Sequence, residues 1–405
     1  MEETGFAVVG VRNFADSYID YIRTLEGEGL RLSGVVIRDQ VKNAERAAEL
    51  RSEGVRVFDS YDELLSEGRE YVDVVGIPTS IPTHDDLTIE AMERGYDVLM
   101  EKPPTPTVEQ MDNLRRAAAE TGKMCSVGFQ FIHSPSVREL KEMILAGELG
   151  ELDTLACWGK WRRVRSYYER NPWAGRATLD GELVLDGPMH NALAHYLNNM
   201  LFLAGDSTHE AAELETVKAE LYRGHSYIES PDTSCLHAET VDGTDIYFYV
   251  TYAPEETSGP VIEVEGSEGS ATWWMDETAE VETAGGESVE LDSSEGDPHH
   301  EVFRATARYY HGEQDELWCT LDNSRPFVVA INGAYESAGR IREIPGEYVR
   351  EFEDEDGEYV TVVDGVDDVI AEAFEDRKLY SETGAEWTTA TEPVDVRDYE
   401  RFSPF

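Results

Sequence analysis

Six short apolar runs alternate with stretches of helical period over the first third of the chain, and that alternation restricts the region to a parallel sheet with crossover helices. The runs cover residues 6–9, 32–37, 55–58, 72–77, 97–100 and 124–127. Residues 43–51, 85–94 and 108–120 carry the helical pattern. The last of these has Thr107 followed three residues later by Gln110, the spacing of a capping box. A doubly wound α/β domain is expected over residues 1–128.

Beyond that point the pattern changes. Residues 140–146 read as helix, and a long helix is expected from near Pro188, a residue suited to a first helical position, to Gly205. Strand patterns without intervening helices follow at 214–222, 234–240, 261–265 and 270–275. Between the second and third of them, Ile246, Phe248, Val250 and Tyr252 alternate with Tyr247, Tyr249 and Thr251. This is the signature of an antiparallel sheet with one buried face. Helices at 302–310 and 366–375 complete an α+β domain with a large, mainly antiparallel sheet over residues 129–405. The acidic segments 287–297 and 351–357 read as surface loops or turns, and no internal repeat is present.

The 405 residues include 84 Asp and Glu against 34 Lys and Arg, a formal charge of -50, and the carboxylates are spread along the whole chain. Only seven of the cations are lysines. In dilute buffer such a charge repels itself; at molar salt the Debye length falls to about 3 Å and the repulsion is screened. A halophilic, cytoplasmic protein is expected. The charge argues against nucleic acid and anionic membranes as partners. Residues 1–5 lack a signal-peptide pattern and no apolar run reaches membrane-span length, so a soluble protein is expected. Cys125, Cys157, Cys235 and Cys319 are widely spaced and read as reduced core residues, with no zinc or disulfide framework.

A dinucleotide fold needs a tight turn between its first strand and helix, so that backbone N–H groups face the pyrophosphate. The turn here is Gly10-Val11-Arg12-Asn13-Phe14-Ala15. It keeps the first glycine of GxGxxG, has alanine at the third, and replaces the second with Arg12, whose guanidinium either contacts a phosphate or stands in solvent. The strand, turn, helix and strand order favours a Rossmann nucleotide site. At the end of the second strand, where an acidic residue normally takes the ribose hydroxyls, stands Arg38, followed by Asp39. A cation suits a 2′-phosphate, so NADP is preferred, with NAD kept open by Asp39.

Glu101-Lys102-Pro103 directly follows the fifth strand, and the second domain carries Asp186-x-x-x-His190. In this arrangement the chain resembles the Gfo/Idh/MocA oxidoreductases, a family that includes glucose–fructose oxidoreductase and inositol dehydrogenase. Ile77-Pro78-Thr79 with His84, Gly147-Glu148-Leu149-Gly150 and Gly266-Ser267-Glu268-Gly269 also resemble its recurring turns, so the similarity covers most of the chain. The resemblance implies an enzyme that moves hydride between a nicotinamide cofactor and a secondary alcohol of a sugar, polyol or sugar acid. It implies that Pro78, Thr79, His84, Glu101 and Lys102 join the turn residues at the cofactor. In the same way it implies that Lys102 binds the reacting hydroxyl, His190 takes its proton, and Asp186 supports the imidazole. A base near neutral pKa is what the reaction requires. A proline after Lys102, in either isomer, would fix the lysine at the strand end.

Plainer roles stand beside these. Lys102 could be a surface lysine, Asp186 the cap of a helix starting at Pro188, and His190 a satisfied core histidine. Asn191 and His195, on the same expected helix, line the substrate or merely pack. His299 and His300 are expected in a loop, and no metal site is expected. A basic and aromatic island runs from Lys160 to Arg176. Within it Arg162, Arg165, Tyr168, Asn171 and Trp173 suit an anionic sugar such as a uronate or aldonate, since arginine forks bind carboxylates and aromatic faces stack on sugars. The alternative is that these arginines pair with surface carboxylates or with a second subunit of a homodimer or homotetramer. A nucleotide-sensing regulator without turnover and an NAD-assisted glycosidase are the competing functions.

Overall fold

The computed structural model describes residues 3–292 and 296–403. Met1 and Glu2, and Ser293, Ser294 and Glu295 of the acidic segment expected as a loop, lie outside the described residues, as do Pro404 and Phe405. Two compact units divide the chain. One comprises Met1–Thr105, Gln110–His133 and Gly296–Ser324, the other Pro106–Glu109, Ser134–Glu295 and Arg325–Phe405.

The first unit holds the expected parallel sheet. Its strands are β1 (Thr4–Val9), β2 (Leu30–Val36), β3 (Arg56–Phe58), β4 (Val74–Ile77), β5 (Asp97–Met100) and β6 (Cys125–Val127), in the order β3-β2-β1-β4-β5-β6. Every neighbouring pair is parallel. The crossover helices are α1 (Phe14–Thr24), α2 (Ala44–Ser52), α3 (Tyr61–Glu67), α4 (His84–Glu93) and α5 (Val108–Thr121). Strand order reverses between β1 and β4, and the turns after β1, β2, β4 and β5 leave the same edge of the sheet, where open α/β sheets bind ligands. At the start of α5, Gln110 Nε2 donates to Asp85 Oδ2 at 2.9 Å, and the N–H of Val108 goes to Asn332 Oδ1 at 2.9 Å. A side chain 224 residues distant thus takes the N–H of the first residue of α5, one of the helix-end donors that a capping box leaves over.

The first unit also contains a helix from far along the chain, in residues that the sequence reading grouped with the second half. Helix Pro298–Tyr310 packs Phe303 against Phe6, Tyr18 and Tyr21, with ring centroids 5.8, 4.9 and 6.0 Å apart. Tyr310 donates to Asp73 Oδ1 at 2.7 Å, and Asp73 Oδ2 accepts from the N–H of Gly5 at 2.8 Å. Its N-cap residue is Asp297, whose carboxylate accepts from His299 N. His299 and His300 therefore sit in a helical first turn, beside Tyr21, rather than in a loop.

In the second unit, the helices in chain order after α5 are α6 (Pro135–Leu145), α7 (Arg165–Glu169) and α8 (Ala194–Leu203). The large sheet begins with β7 (Leu152–Lys160). Small strands β8 (Thr178–Leu179) and β9 (Glu182–Leu183) pair with each other, and β10 (Leu214–Arg223), β11 (Thr233–Thr240), β12 (Asp245–Thr251), β13 (Ser258–Gly266), β14 (Ser270–Trp274), β15 (Ala279–Glu282), β16 (Ser288–Leu291) and β17 (Arg342–Glu343) follow. The sheet order is β16-β15-β14-β13-β7-β12-β11-β10-β17, antiparallel except for the pairs β7–β12 and β10–β17. Lys141 of α6 is buried and donates to the carbonyls of Phe202, Leu203 and Gly205, satisfying the C-terminal end of α8.

Three expectations for this unit are corrected. The helix near Asp186 starts at Ala194, after turns over residues 188–193, because Leu193 N bonds back five residues to Pro188 O and breaks the regular ladder. The sheet is not one-sided: Tyr249 and Cys235 are fully buried alongside Ile246 and Phe248. The covering layer is the C-terminal segment, whose helix Val366–Glu375 packs on β7 and β12 and whose Tyr380 and Trp387 close over Tyr222. Finally, the acidic segments are partly strands, since Ser288–Leu291 pairs with β15 and Val349–Glu353 forms a hairpin with Tyr359–Val363. Among the described residues, no helix is long and apolar enough to cross a membrane, and no group of three or more His, Cys, Asp or Glu is placed to hold a metal ion.

Phe303 is the apolar anchor of the returning helix, so Phe303→Ala is expected to cost about 3–5 kcal/mol in equilibrium unfolding. A loss below about 1 kcal/mol would show that the helix is not part of the first unit's core.

Candidate functional site

The turn after β1 is built on an unusual backbone. Gly10 has φ +111°, and its N–H donates to Val36 O at 3.1 Å. A Cβ at Gly10 would lie 3.3 Å from the Cβ of Ala15, so the small residue at position 15 is what allows the turn to close against α1. Asn13, at φ 55°, is the N-cap residue and Phe14 opens the helix. This turn and those after β2 and β4 enclose a cavity of about 450 Å³. Gly10, Arg12, Arg38, Asp39, Pro78 and Thr79 all line it; Asn13 and Phe14 stand beside it in sequence without lining it.

Sequence reasoning missed Asn43 and Tyr61 in the same lining. Asn43 Oδ1 accepts from Arg12 Nε at 2.7 Å, and Tyr61 donates to Leu87 O at 2.6 Å. In the sequence Asn43 stood only as the first residue of a helical stretch; in the structure it is the N-cap residue of α2. Asp39 caps locally, accepting from Lys42 N at 2.9 Å. Arg38 is exposed and makes no ion pair among the described residues.

His84 lies outside the lining but ties it to the Glu101-Lys102-Pro103 segment. Its ring is buried, with Nδ1 3.0 Å from Pro103 O and Nε2 3.1 Å from Thr79 O. Burial holds its pKa below the usual histidine range; the carbonyl contacts oppose that shift and the Lys102 charge adds to it. The Lys102–Pro103 peptide is cis. Lys102 is half-buried. Beside it, Glu101 is buried against the bare backbone of Gly128, where a Cβ would come within 2.7 Å of its Oε2. Tyr18, fully buried, donates to Glu101 Oε2 at 3.1 Å. Burial raises the Glu101 pKa to about 7, against the opposing pull of Lys102 and Tyr18. Nothing in the local sequence singles out Tyr18, which lies within α1.

In the second unit, the side chain of Asp186 is held by backbone and amide groups. Its Oδ2 accepts from Gly175 N at 2.6 Å and its Oδ1 from Asn191 Nδ2 at 2.9 Å. Burial raises its pKa, and these two hydrogen bonds work the other way. It does not cap α8, whose N-cap residue is Leu193. His190 is buried, stacked on Phe327 at 6.0 Å, with Nδ1 3.0 Å from Leu185 O. A carbonyl oxygen can only accept, so Nδ1 carries the hydrogen and the neutral ring keeps its basic lone pair on Nε2. Leu185 reaches this position with φ +53°, an uncommon conformation for leucine, in a fully packed setting. His195 is the second residue of α8 and buried.

The island of residues 160–176 divides. Arg165, Tyr168 and Asn171 line a second cavity, of about 350 Å³, whereas Arg162 donates to Pro254 O at 3.2 Å and Trp173 lies under Arg170. Arg162, Trp173, Asn191 and His195 do not line this cavity.

The sequence matches two family descriptions: "Oxidoreductase family, NAD-binding Rossmann fold" over residues 4–129 and "GFO/IDH/MocA C-terminal domain" over residues 137–272, together well over half of the chain. The chain belongs to the Gfo/Idh/MocA oxidoreductase family. It is 37% identical over 93 residues to the scyllo-inositol 2-dehydrogenase (NAD(+)) of Bacillus subtilis, a match covering 23% of this chain and 26% of that protein. It is 33% identical over 162 residues to Inositol 2-dehydrogenase 1 of Mycolicibacterium vanbaalenii, covering 39% and 45%. The matched stretch spans less than half the length of these curated relatives. Among solved structures, the WlbA dehydrogenase from Bordetella pertussis in complex with NADH and UDP-GlcNAcA is similar in fold, with TM-score 0.68, 20% identity, and coverage of 83% of this chain and 97% of that one.

Because the folded pKa of Glu101 stands near 7 and the ordinary value is 4.5, the folded state holds a proton in that window that the unfolded chain has released. The stability Glu101 contributes is complete below about pH 4.5 and is lost as pH rises through about 7. Unfolding free energies of wild type and Glu101→Gln measured across this window should diverge by up to about 3 kcal/mol. Parallel curves would mean that the carboxyl ionises normally.

Proposed function

We propose that this protein is an NAD(P)-dependent dehydrogenase or reductase acting on a secondary alcohol of a sugar-like or polyol substrate. The observation that carries the reading is the preset imidazole of His190, whose Leu185 contact leaves Nε2 as the basic nitrogen, in a chain whose family domain bears Lys102 at the end of a nucleotide-sheet strand. The cavity at the first sheet's edge suits a dinucleotide: Gly10 gives close backbone approach, Arg12 a cation for the pyrophosphate, and Arg38 and Asp39 the two groups nearest a ribose. A bound nicotinamide dinucleotide supplies the hydride acceptor, or the donor in reverse.

The remaining chemistry belongs to the protein. The Lys102 ammonium binds the reacting hydroxyl and lowers the energy of negative charge developing on its oxygen. His190 Nε2 receives the hydroxyl proton during oxidation and returns it during reduction. Asp186 is a positioning residue: through Asn191 and Gly175 it sets the segment that carries His190. Arg162, Trp173, Asn191 and His195 are the remaining candidates for substrate contact.

NADP is the preferred cofactor in this reading. Two features support it: Asp39 already accepts the Lys42 N–H, and Arg38 has no carboxylate partner among the described residues. In molar KCl, the wild type should reduce NADP with at least one member of a panel of sugars, polyols and sugar acids. Lys102→Ala and His190→Ala should each lower kcat/KM by about 100-fold or more while dinucleotide binding persists. Turnover by the variants equal to wild type would remove both residues from the mechanism. Arg38→Asp should weaken NADP binding more than NAD binding; equal effects on the two would overturn the cofactor preference.

A further inference from the structure

The arginines of so acidic a chain are mostly matched to carboxylates. Arg46 meets Asp16 at 2.6 Å, Arg304 meets Glu28 at 2.7 Å, and Arg377 meets Glu263 and Glu265 at 2.6 Å each. Arg165 is different. Its guanidinium carbon lies 4.5 Å from the ring centroid of Tyr227 and 4.4 Å from that of Tyr359, and it has no carboxylate partner among the described residues. Tyr227 and Tyr359, whose ring planes lie 62° apart, hold the cation by ring contacts, and its N–H donors have no hydrogen-bond partner among the described residues, where a carboxylate would bind through two parallel hydrogen bonds.

The cavity that Arg165 lines has further features of a built site. Tyr168, also in its wall, is only 8% exposed, and its hydroxyl has no hydrogen-bond partner among the described residues. That oxygen is closed to solvent as well, so Tyr168 contributes its ring to the wall. The ring of Tyr168 is fixed by Tyr167 and His225, each 5.2 Å away, and His225 is in turn fully buried between Asp232 Oδ2 at 2.7 Å and Arg163 O at 3.1 Å. Asn171 Oδ1 is occupied by the N–H groups of Trp173 and Ala174, which leaves its Nδ2 as the group for a further acceptor. Two carboxylates also line the cavity: Glu229 is neutralised by Arg176 at 2.5 Å, and Glu169 is solvent-exposed.

The wall is continuous with the Asp186 segment. Gly175 lines the cavity and donates its N–H to Asp186 Oδ2. With φ +72° and a Cβ position only 2.7 Å from Ile228 Cγ2, no other residue fits at 175 without strain. Tyr359 lies beyond residues 137–272, so one of the two rings holding Arg165 comes from sequence outside the matched family domains.

We propose that this cavity binds the carboxylate of a sugar-acid substrate, with Arg165 as the paired cation and the Asn171 amide as a further donor. This assignment rests on the dehydrogenase reading above and narrows its substrate class to uronates and aldonates. The test is calorimetric titration of the full chain, with saturating NADP in molar KCl, using D-glucuronate and D-gluconate as probes and D-glucose as the neutral comparison. Wild type should bind at least one of the acids about tenfold or more tightly than glucose. Arg165→Met should abolish that preference and leave glucose and NADP affinities unchanged. Asn171→Asp, which keeps the oxygen that accepts from Trp173 N and Ala174 N, should reduce the preference as well. Equal binding of acids and glucose by wild type, or a preference that survives in Arg165→Met, overturns the proposal. The readout does not depend on turnover. An Arg165-dependent preference without oxidation of any substrate would sink the dehydrogenase reading alone, whereas oxidation of neutral polyols without acid preference would sink this subsite alone.

Discussion

The buried ring of His84 sits between two carbonyl oxygens, those of Thr79 and Pro103, donating the single N–H of its neutral form to one and packing on the other, and the arrangement of the nucleotide unit depends on that placement. Thr79 lines the cavity at the sheet edge, and Pro103 follows Lys102. The ring therefore lies between the cavity wall and the lysine segment, bonded to one and packed against the other. The second unit uses the same device twice: the Leu185 carbonyl orients His190, and the Gly175 N–H orients Asp186. Backbone groups of irregular segments at strand ends cannot rotate away as side chains can. Functional side chains tethered to them are preorganised at no further conformational cost.

Electrostatics follows from burial more than from the surplus of acidic groups. Arginine pairs with Asp and Glu recur over the surface, and exposed pairs of this kind stabilise little individually. The groups with shifted pKa values beside the proposed chemistry, Glu101, His84 and Asp186, owe their shifts first to desolvation. Glu101 also shows how a charged motif is accommodated in a core: the tyrosine hydroxyl, the neighbouring lysine and the bare backbone of Gly128 surround one carboxyl.

The nucleotide half was legible because its signals are local. Apolar runs at the right spacing mark buried parallel strands, and all six appear where the pattern placed them, within a residue or two at each end. Contacts between distant segments were not legible. The helix carrying Phe303 reads as an ordinary amphipathic helix, and nothing in its period says that Phe6 and Tyr18 are its partners. The alternation at Tyr247 and Tyr249 predicted a solvated face; it is covered because residues more than a hundred positions later fold over it. At Asp186 the spacing to Pro188 suggested a cap, but the turns before Ala194 and the left-handed Leu185 give that carboxylate other partners. The island was legible as basic and aromatic, and only the structure reveals that Arg165 lies against two tyrosine rings while Arg176 pairs with Glu229.

The account's central claim is direct hydride exchange between a substrate carbon and a nicotinamide, and isotope transfer tests it most directly. The protein, in molar KCl with oxidised NADP or NAD, would be given a sugar or polyol deuterated at its secondary carbinol positions. The reduced cofactor and the recovered substrate would then be analysed by mass spectrometry. Deuterium appearing in the reduced cofactor, in step with formation of the ketone, is the predicted result. Tight dinucleotide binding with no deuterium in the cofactor would contradict the account and mark the protein as a nucleotide sensor.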